Sequence, residues 1–191
     1  MPLGYDKNGQ LVTGFYKQRT NDIIACDECL IQNKESNAVI QRVKELFVKY
    51  DIKPYDKTTH KGNIKHILTK KGYHSEEFML CFITYQKTIK HIDQIVETLV
   101  KEFPHMKTII QNINERHDNV ILGDEEKILY GQGYVYDTLL KNQYKISLKS
   151  FYQINPIQVE VLYQTAIDLA HLNQDSVVLD AYCGIGTITL S

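Results

Sequence analysis

The most constraining feature of the chain is its last fifteen residues. Val177-Val178-Leu179 is a short apolar run, followed by Asp180-Ala181-Tyr182-Cys183-Gly184-Ile185-Gly186-Thr187. An uninterrupted apolar run of this kind suits a strand covered on both faces, as in a parallel sheet flanked by helices. The acidic residue marks the strand end. The two glycines then allow positive φ and a close backbone approach, and the start of the next helix would offer free amides and a positive dipole end. In open α/β sheets, ligands sit outside the carboxyl ends of strands, where this turn lies.

Two nucleotide-type patterns fit less well. The dinucleotide fingerprint needs a third glycine where Thr189 stands, and no lysine follows as a phosphate-cradling loop requires. The spacing Asp180-x-x-x-Gly184-x-Gly186 resembles instead the first motif of class I methyltransferases, whose glycines make room for the amino-acid part of S-adenosylmethionine. A tight strand-to-helix turn that binds nothing is the plainer alternative. Upstream, Asn155-Pro156 reads as an N-cap followed by proline in the first helical turn. Val159, Leu162, Tyr163, Ala166 and Ala170 would line one face of that helix.

Residues 1–148 follow a different grammar. Residues 11–16 and 22–25 read as strands around a polar turn. A helix capped near Ser36 carries Val39, Ile40, Val43, Leu46, Phe47 and Tyr50 at helical spacing and stops by Pro54. Residues 64–69 and 78–85 form a hairpin about Lys70-Lys71-Gly72, with Phe78–Tyr85 so apolar that it should be central. A second helix uses Ile92, Ile95, Val96, Leu99 and Phe103. Further strands are expected at Thr108–Ile113, Val120–Leu122, Lys127–Tyr130, Tyr134–Leu139 and Tyr144–Leu148. Two helices among many short strands predict an α+β central domain, mainly an antiparallel sheet with helices, over 1–148. Residues 149–191 would be the truncated start of a Rossmann-like class I methyltransferase domain. One helix and one strand cannot bury a parallel sheet, so the missing strands must come from more of the same polypeptide or from another copy, the truncated sheet offering an edge for self-association.

Composition excludes some classes. The chain has 191 residues, no tryptophan and a formal net charge of −1, so any RNA must bind through a local basic patch. No apolar run is long enough for a membrane span or secretion signal, and a cytoplasmic protein is expected. Of the four cysteines, Cys26 and Cys29 form one pair that could be half of a zinc or iron–sulfur site, but Cys81 and Cys183 have no close cysteine neighbour, and reduced, non-ligating thiols are expected. For RNA contact, His60, Lys61, Lys65 and His66, with Lys70 and Lys71 beside them, are candidates against the simpler reading of a solvated hairpin. Most of the 13 tyrosines should pack in the sheet, although tyrosine can also stack on splayed bases.

Two segments together are more specific. Ser150-Phe151-Tyr152-Gln153-Ile154-Asn155-Pro156, followed by Asp180-Ala181-Tyr182-Cys183-Gly184-Ile185-Gly186-Thr187, closely resembles the RNA (uracil-5-)-methyltransferase family. Weaker likeness runs through Gly14-Phe15-Tyr16, Thr59-His60-Lys61-Gly62, Gln111-Asn112-Ile113-Asn114 and Val120-Ile121-Leu122-Gly123, so it covers nearly the whole chain. The resemblance implies S-adenosyl-L-methionine as cofactor and uridine C5 in ribosomal or transfer RNA as target, with no role for DNA. It implies cofactor contacts from Gln153, Tyr182, Gly184, Gly186 and Thr187. Asp180 is either an orienter of the turn or a direct ligand contact. Cys183 would belong to the cofactor turn and not attack the base. The family's catalytic cysteine adds to uracil C6, and a glutamate removes the C5 proton. Both are expected downstream of this segment, so no catalytic residue is assigned here. Cys29 falls where the last of four cluster-binding cysteines stands in some relatives.

Overall fold

The computed structural model describes residues 1–190. β1 (Leu3–Tyr5), β2 (Leu11–Tyr16) and β3 (Ile23–Ala25) form a three-stranded antiparallel sheet in the order β1-β2-β3. α1 (Lys34–Lys49) follows. A four-stranded sheet, ordered β4-β5-β6-β7, is built from β4 (Ile64–Lys71), β5 (Phe78–Thr84), β6 (Met106–Ile113) and β7 (Glu125–Gly131), with α2 (Ile92–Glu102) between β5 and β6. β8 (Tyr134–Leu139) and β9 (Asn142–Ser147) make a separate hairpin, and α3 (Pro156–Ala170) is the last regular element among the described residues.

β5 organises the molecule because all seven of its residues are buried. Its period of two sends Phe78, Leu80 and Phe82 into one apolar cluster with Val43, Phe47, Ile95 and Leu99 of the two helices. Met79, Cys81 and Ile83 go into another with Ile110, Val135, Ile146 and Leu148. The sheet is thus sandwiched between a helical layer and the β8–β9 hairpin. Neither cover alone would bury both faces of so apolar a strand.

Strand pairing is mainly antiparallel, as expected, with one parallel pair. β4–β5 and β6–β7 are antiparallel, as expected, but β5–β6 is parallel, so this sheet is mixed. The cause is α2: two strands joined through a helical crossover can return in the same direction, which a tight turn forbids.

Other boundaries shift for local reasons. The cap of α1 is Asn33, whose side chain accepts the N–H of Ser36 at 2.8 Å, so Ser36 is the third helical residue. Lys70 and Lys71 lie within β4, and the turn begins at Gly72. Val120–Leu122 is not a strand. It is held by side chains: Asn114 Nδ2 donates to the carbonyls of Val120 (2.7 Å) and Ile121 (2.8 Å), and Asn112 exchanges two bonds with the backbone of Gly123. A Cβ on Gly123 would sit 1.9 Å from the Ile113 carbonyl oxygen, so only glycine fits there.

Residues 171–190 also differ. Val177-Val178-Leu179 is unpaired, with Val177 97% and Leu179 88% exposed, and no helix has begun by Leu190. An apolar run becomes a strand only when neighbours accept its backbone hydrogen bonds, and none lies beside it among the described residues. On α3, Val159 and Tyr163 are buried as expected, whereas Leu162 is exposed. No helix among the described residues is long and apolar enough to cross a membrane.

Candidate functional site

The glycine-rich turn is docked onto the protein through its far end. Tyr144 of β9 donates its hydroxyl to the Thr187 carbonyl at 3.3 Å, and the Tyr163 hydroxyl of α3 meets Thr187 Oγ1 at 3.2 Å. Ile185 packs against both the hairpin and α3 clusters. Asp180 closes the near end: its carboxylate accepts the N–H of Tyr182 (3.2 Å) and the hydroxyl of Thr189. Gly184 and Gly186 take φ of +56° and +82°, in the region that glycine occupies without strain. A Cβ on Gly184 would meet nothing within 4 Å, so the turn is open on that side. Tyr182 is 98% exposed, Gln153 is half-buried upstream of α3, and Cys183 is exposed. Gln153 is not linked to the turn by any hydrogen bond among the described residues.

The second site is a cleft of about 360 Å³. It lies between the β2–β3 loop, the segment from Tyr55 to His66 and the loop after β6. His60, Lys65 and His66 of the expected set line it, joined by Tyr16, Lys57, Arg116 and His117. Lys61 is exposed but does not line the cleft. The loop carrying His60 is wound by Asp56, whose carboxylate accepts the N–H groups of Thr58 and Thr59 while its carbonyl accepts that of His60. Gly62 lets this loop pass Pro54, where a Cβ would lie 1.9 Å from the carbonyl oxygen.

At the floor, the Tyr55 hydroxyl lies 2.7 Å from His60 Nδ1 and 3.1 Å from His117 Nδ1, and the two imidazoles meet edge to face at 4.3 Å. The Lys65 ammonium sits 4.7 Å from the Tyr55 ring centroid and 5.4 Å from that of Tyr85, and it donates to the Arg116 carbonyl at 2.6 Å. Burial, then the nearby Lys57, lowers the Lys65 pKa. His66 is pushed down to about 4, first by burial and then by the N-terminal ammonium, Lys57 and Lys65. Lys57 lies over the Tyr16 ring at 4.7 Å. Among the described residues the one carboxylate lining the cleft, Asp118, is held by Arg116 at 2.6 Å, which keeps its pKa low. The cleft is therefore cationic and aromatic although the chain as a whole is almost neutral.

Lys70 and Lys71, expected beside this patch, are committed elsewhere. Lys70 donates to the carbonyls of Ser147 and Ser150, with its pKa lowered to about 8 by burial, and Lys71 pairs with Glu35 at 2.8 Å. Tyr16, Tyr55, Arg116 and His117 were not anticipated. The only hint was Tyr55 at the head of the basic stretch 55–66, because the Arg116-His117 pair sits some fifty residues away. No group of three or more His, Cys, Asp or Glu is placed to hold a metal ion among the described residues.

Comparison with known proteins places this geometry in context. No family model matches the chain. It is 43% identical over 190 residues to an uncharacterized RNA methyltransferase of Halalkalibacterium halodurans, covering 100% of this chain and 41% of the relative. An uncharacterized RNA methyltransferase of Streptococcus pyogenes is 44% identical over 184 residues, covering 96% of this chain and 40% of the relative. Over nearly its whole length the chain is similar to part of these RNA methyltransferases. It spans about two fifths of the length of these relatives. In fold, it matches the crystal structure of Pyrococcus abyssi tRNA (uracil-54, C5)-methyltransferase in complex with S-adenosyl-L-homocysteine, with a TM-score of 0.75 at 23% identity over 99% of this chain and 44% of that one.

Proposed function

We propose that this chain is the central domain and first cofactor motif of an enzyme that moves a methyl group from S-adenosylmethionine to C5 of a uridine in ribosomal or transfer RNA. The observation that carries the reading is the turn of Asp180 to Thr187, anchored on one side by Tyr144 and Tyr163 and open at Gly184. Residues 149–191 then open the methyltransferase domain, and 1–148 form the central one.

The residues fit the cofactor. Gly184 offers backbone with no side chain in the way, Gly186 reverses the chain, and Asp180 holds the bend in shape. Gln153, Tyr182 and Thr187 would complete the contacts, with Tyr182 exposed and free to meet a ligand. When bound, S-adenosylmethionine supplies an electrophilic methyl on its sulfonium. Neither the nucleophile for uracil C6 nor the C5 base is assigned to this chain. Its own contribution is to seat the methyl donor and to hold RNA at His60, Lys61, Lys65 and His66, so that the target base can be extruded toward the donor.

The test is methyl transfer to unmodified RNA by a full-length protein carrying this segment, with the product mapped by mass. 5-Methyluridine in RNA is the expected product. Incorporation only into protein or small molecules would overturn the reading, as would an absence of S-adenosylmethionine binding in calorimetry. Gly184→Val should weaken cofactor binding at least tenfold without weakening RNA binding.

A further inference from the structure

We propose that the cleft seats a phosphodiester of single-stranded RNA between His60 and His117, and that the seat is completed by uptake of one proton when the RNA binds. The proposal rests on the reading of this chain as part of an RNA-acting enzyme, and it adds a defined ligand geometry to that reading.

The Tyr55 hydroxyl has one proton to give and faces two ring nitrogens, at 2.7 and 3.1 Å. It can donate to one Nδ1 and must accept from the other. The two imidazoles are therefore locked in opposite tautomers. The ring that receives the hydroxyl proton carries N–H at Nε2, and the ring that donates from Nδ1 has a bare lone pair at Nε2. Neither Nε2 has a hydrogen-bond partner among the described residues, and both rings line the cleft. The neutral pair thus shows the ligand one donor and one acceptor. A phosphate oxygen repels the bare acceptor, and that repulsion becomes a charge-assisted bond once the nitrogen takes a proton.

The surroundings favour an anion. Lys57 and Lys65 line the cleft from one segment and Lys17 and Arg19 from the opposite loop, while Arg116, from a third, is paired with Asp118. The two carboxylates nearby are engaged elsewhere, Asp118 with Arg116 and Asp56 with the amides of its own turn. His66 stays neutral above acidic pH, and the phenols of Tyr16 and Tyr55, their pKa values raised by burial, are uncharged near neutrality. A cleft of about 360 Å³ admits a nucleotide but not a duplex. Tyr16, 39% exposed with Lys57 over its ring, can stack a splayed base beside the phosphate.

The experiment is fluorescence anisotropy of the 191-residue chain with a short single-stranded oligoribonucleotide, the matching blunt duplex and heparin, at low salt, near pH 6 and near pH 8, without cofactor. Single strand should bind best, and roughly tenfold more weakly near pH 8 than near pH 6. His117→Gln, a change on an exposed loop, should remove that pH dependence, and Tyr55→Phe, which releases the locked tautomers while keeping the ring, should weaken binding severalfold. Circular dichroism checks that both variants are folded. Equal binding of duplex or heparin, or a pH dependence that survives His117→Gln, would overturn the proposal. Methylation of RNA by a full-length protein whose isolated segment ignores single-stranded RNA would sink the cleft assignment alone. Cleft binding without any methyl transfer would sink the enzymatic reading alone.

Discussion

Asp137 is a buried polar group that ties the β8–β9 hairpin to the sheet beneath it, and its replacement by asparagine is a sharp test of the fold. The residue is 1% exposed on β8. One carboxylate oxygen accepts the N–H groups of His74 (2.9 Å) and Ser75 (3.1 Å); the other accepts that of Tyr73 (2.9 Å) and the hydroxyl of Tyr152 (3.1 Å). It therefore clamps the β4–β5 turn and the segment before α3 onto the hairpin. Asparagine keeps one oxygen for His74 and Ser75 but turns an amide NH₂ toward the Tyr73 N–H. Two bonds lose their charge assistance, at about 1 kcal/mol each, and one backbone donor is left unpaired, at about 1–3 kcal/mol. Tyr73 is half exposed, so water recovers part of the last term, and the expected loss is about 3 kcal/mol. Urea denaturation of the 191-residue chain measures it as a lower midpoint at unchanged slope. Tyr152→Phe, which removes one bond only, should cost about 1 kcal/mol. A change below about 0.5 kcal/mol for Asp137→Asn would refute the account of Asp137 as the clamp.

Acidification should destabilise the chain through His66. Its folded pKa of about 4 lies below the ordinary 6.5, so between these values the unfolded state binds more protons and stability falls as pH drops. The loss reaches about 3 kcal/mol at most below pH 4, and His66→Gln should flatten that part of the stability profile. The Cys81 thiol, fully buried and pushed up to about 12 mainly by burial, should resist alkylation at mildly alkaline pH while the exposed Cys183 reacts; mass spectrometry should find Cys81 labelled only after denaturant is added. Gly62→Ala should destabilise by more than 1 kcal/mol, because φ is +85° and the new Cβ meets the Pro54 carbonyl, and should lower RNA affinity by displacing His60; calorimetric Tm and anisotropy together check it.

Local chemistry was readable wherever it decided the outcome alone. The 3–4 spacing of Val39 to Phe47, the seven apolar residues of β5, and Asn155-Pro156 at the head of α3 each carry their own signal, and each element formed there. The two glycines of the turn announced their left-handed backbone in the same way. What remained hidden depends on partners distant in sequence. β5 and β6 run parallel because α2 carries the chain back across the sheet, a fact that neither strand contains. Val120–Leu122 has strand composition but is held by Asn114, with Asn112 fixing the adjoining Gly123, and Val177–Leu179 has it too but has no neighbour to pair with among the described residues. The cleft was half visible in His60, Lys65 and His66. Its other half, Arg116 and His117, arrives from a loop some fifty residues along the chain and is joined to the first through a tyrosine hydroxyl. Periodicity and turn chemistry are properties of neighbouring residues, so sequence carries them directly. Pairing direction, strand completion and the meeting of side chains across loops are settled by which backbone and side-chain groups the packed sheet brings within hydrogen-bond reach.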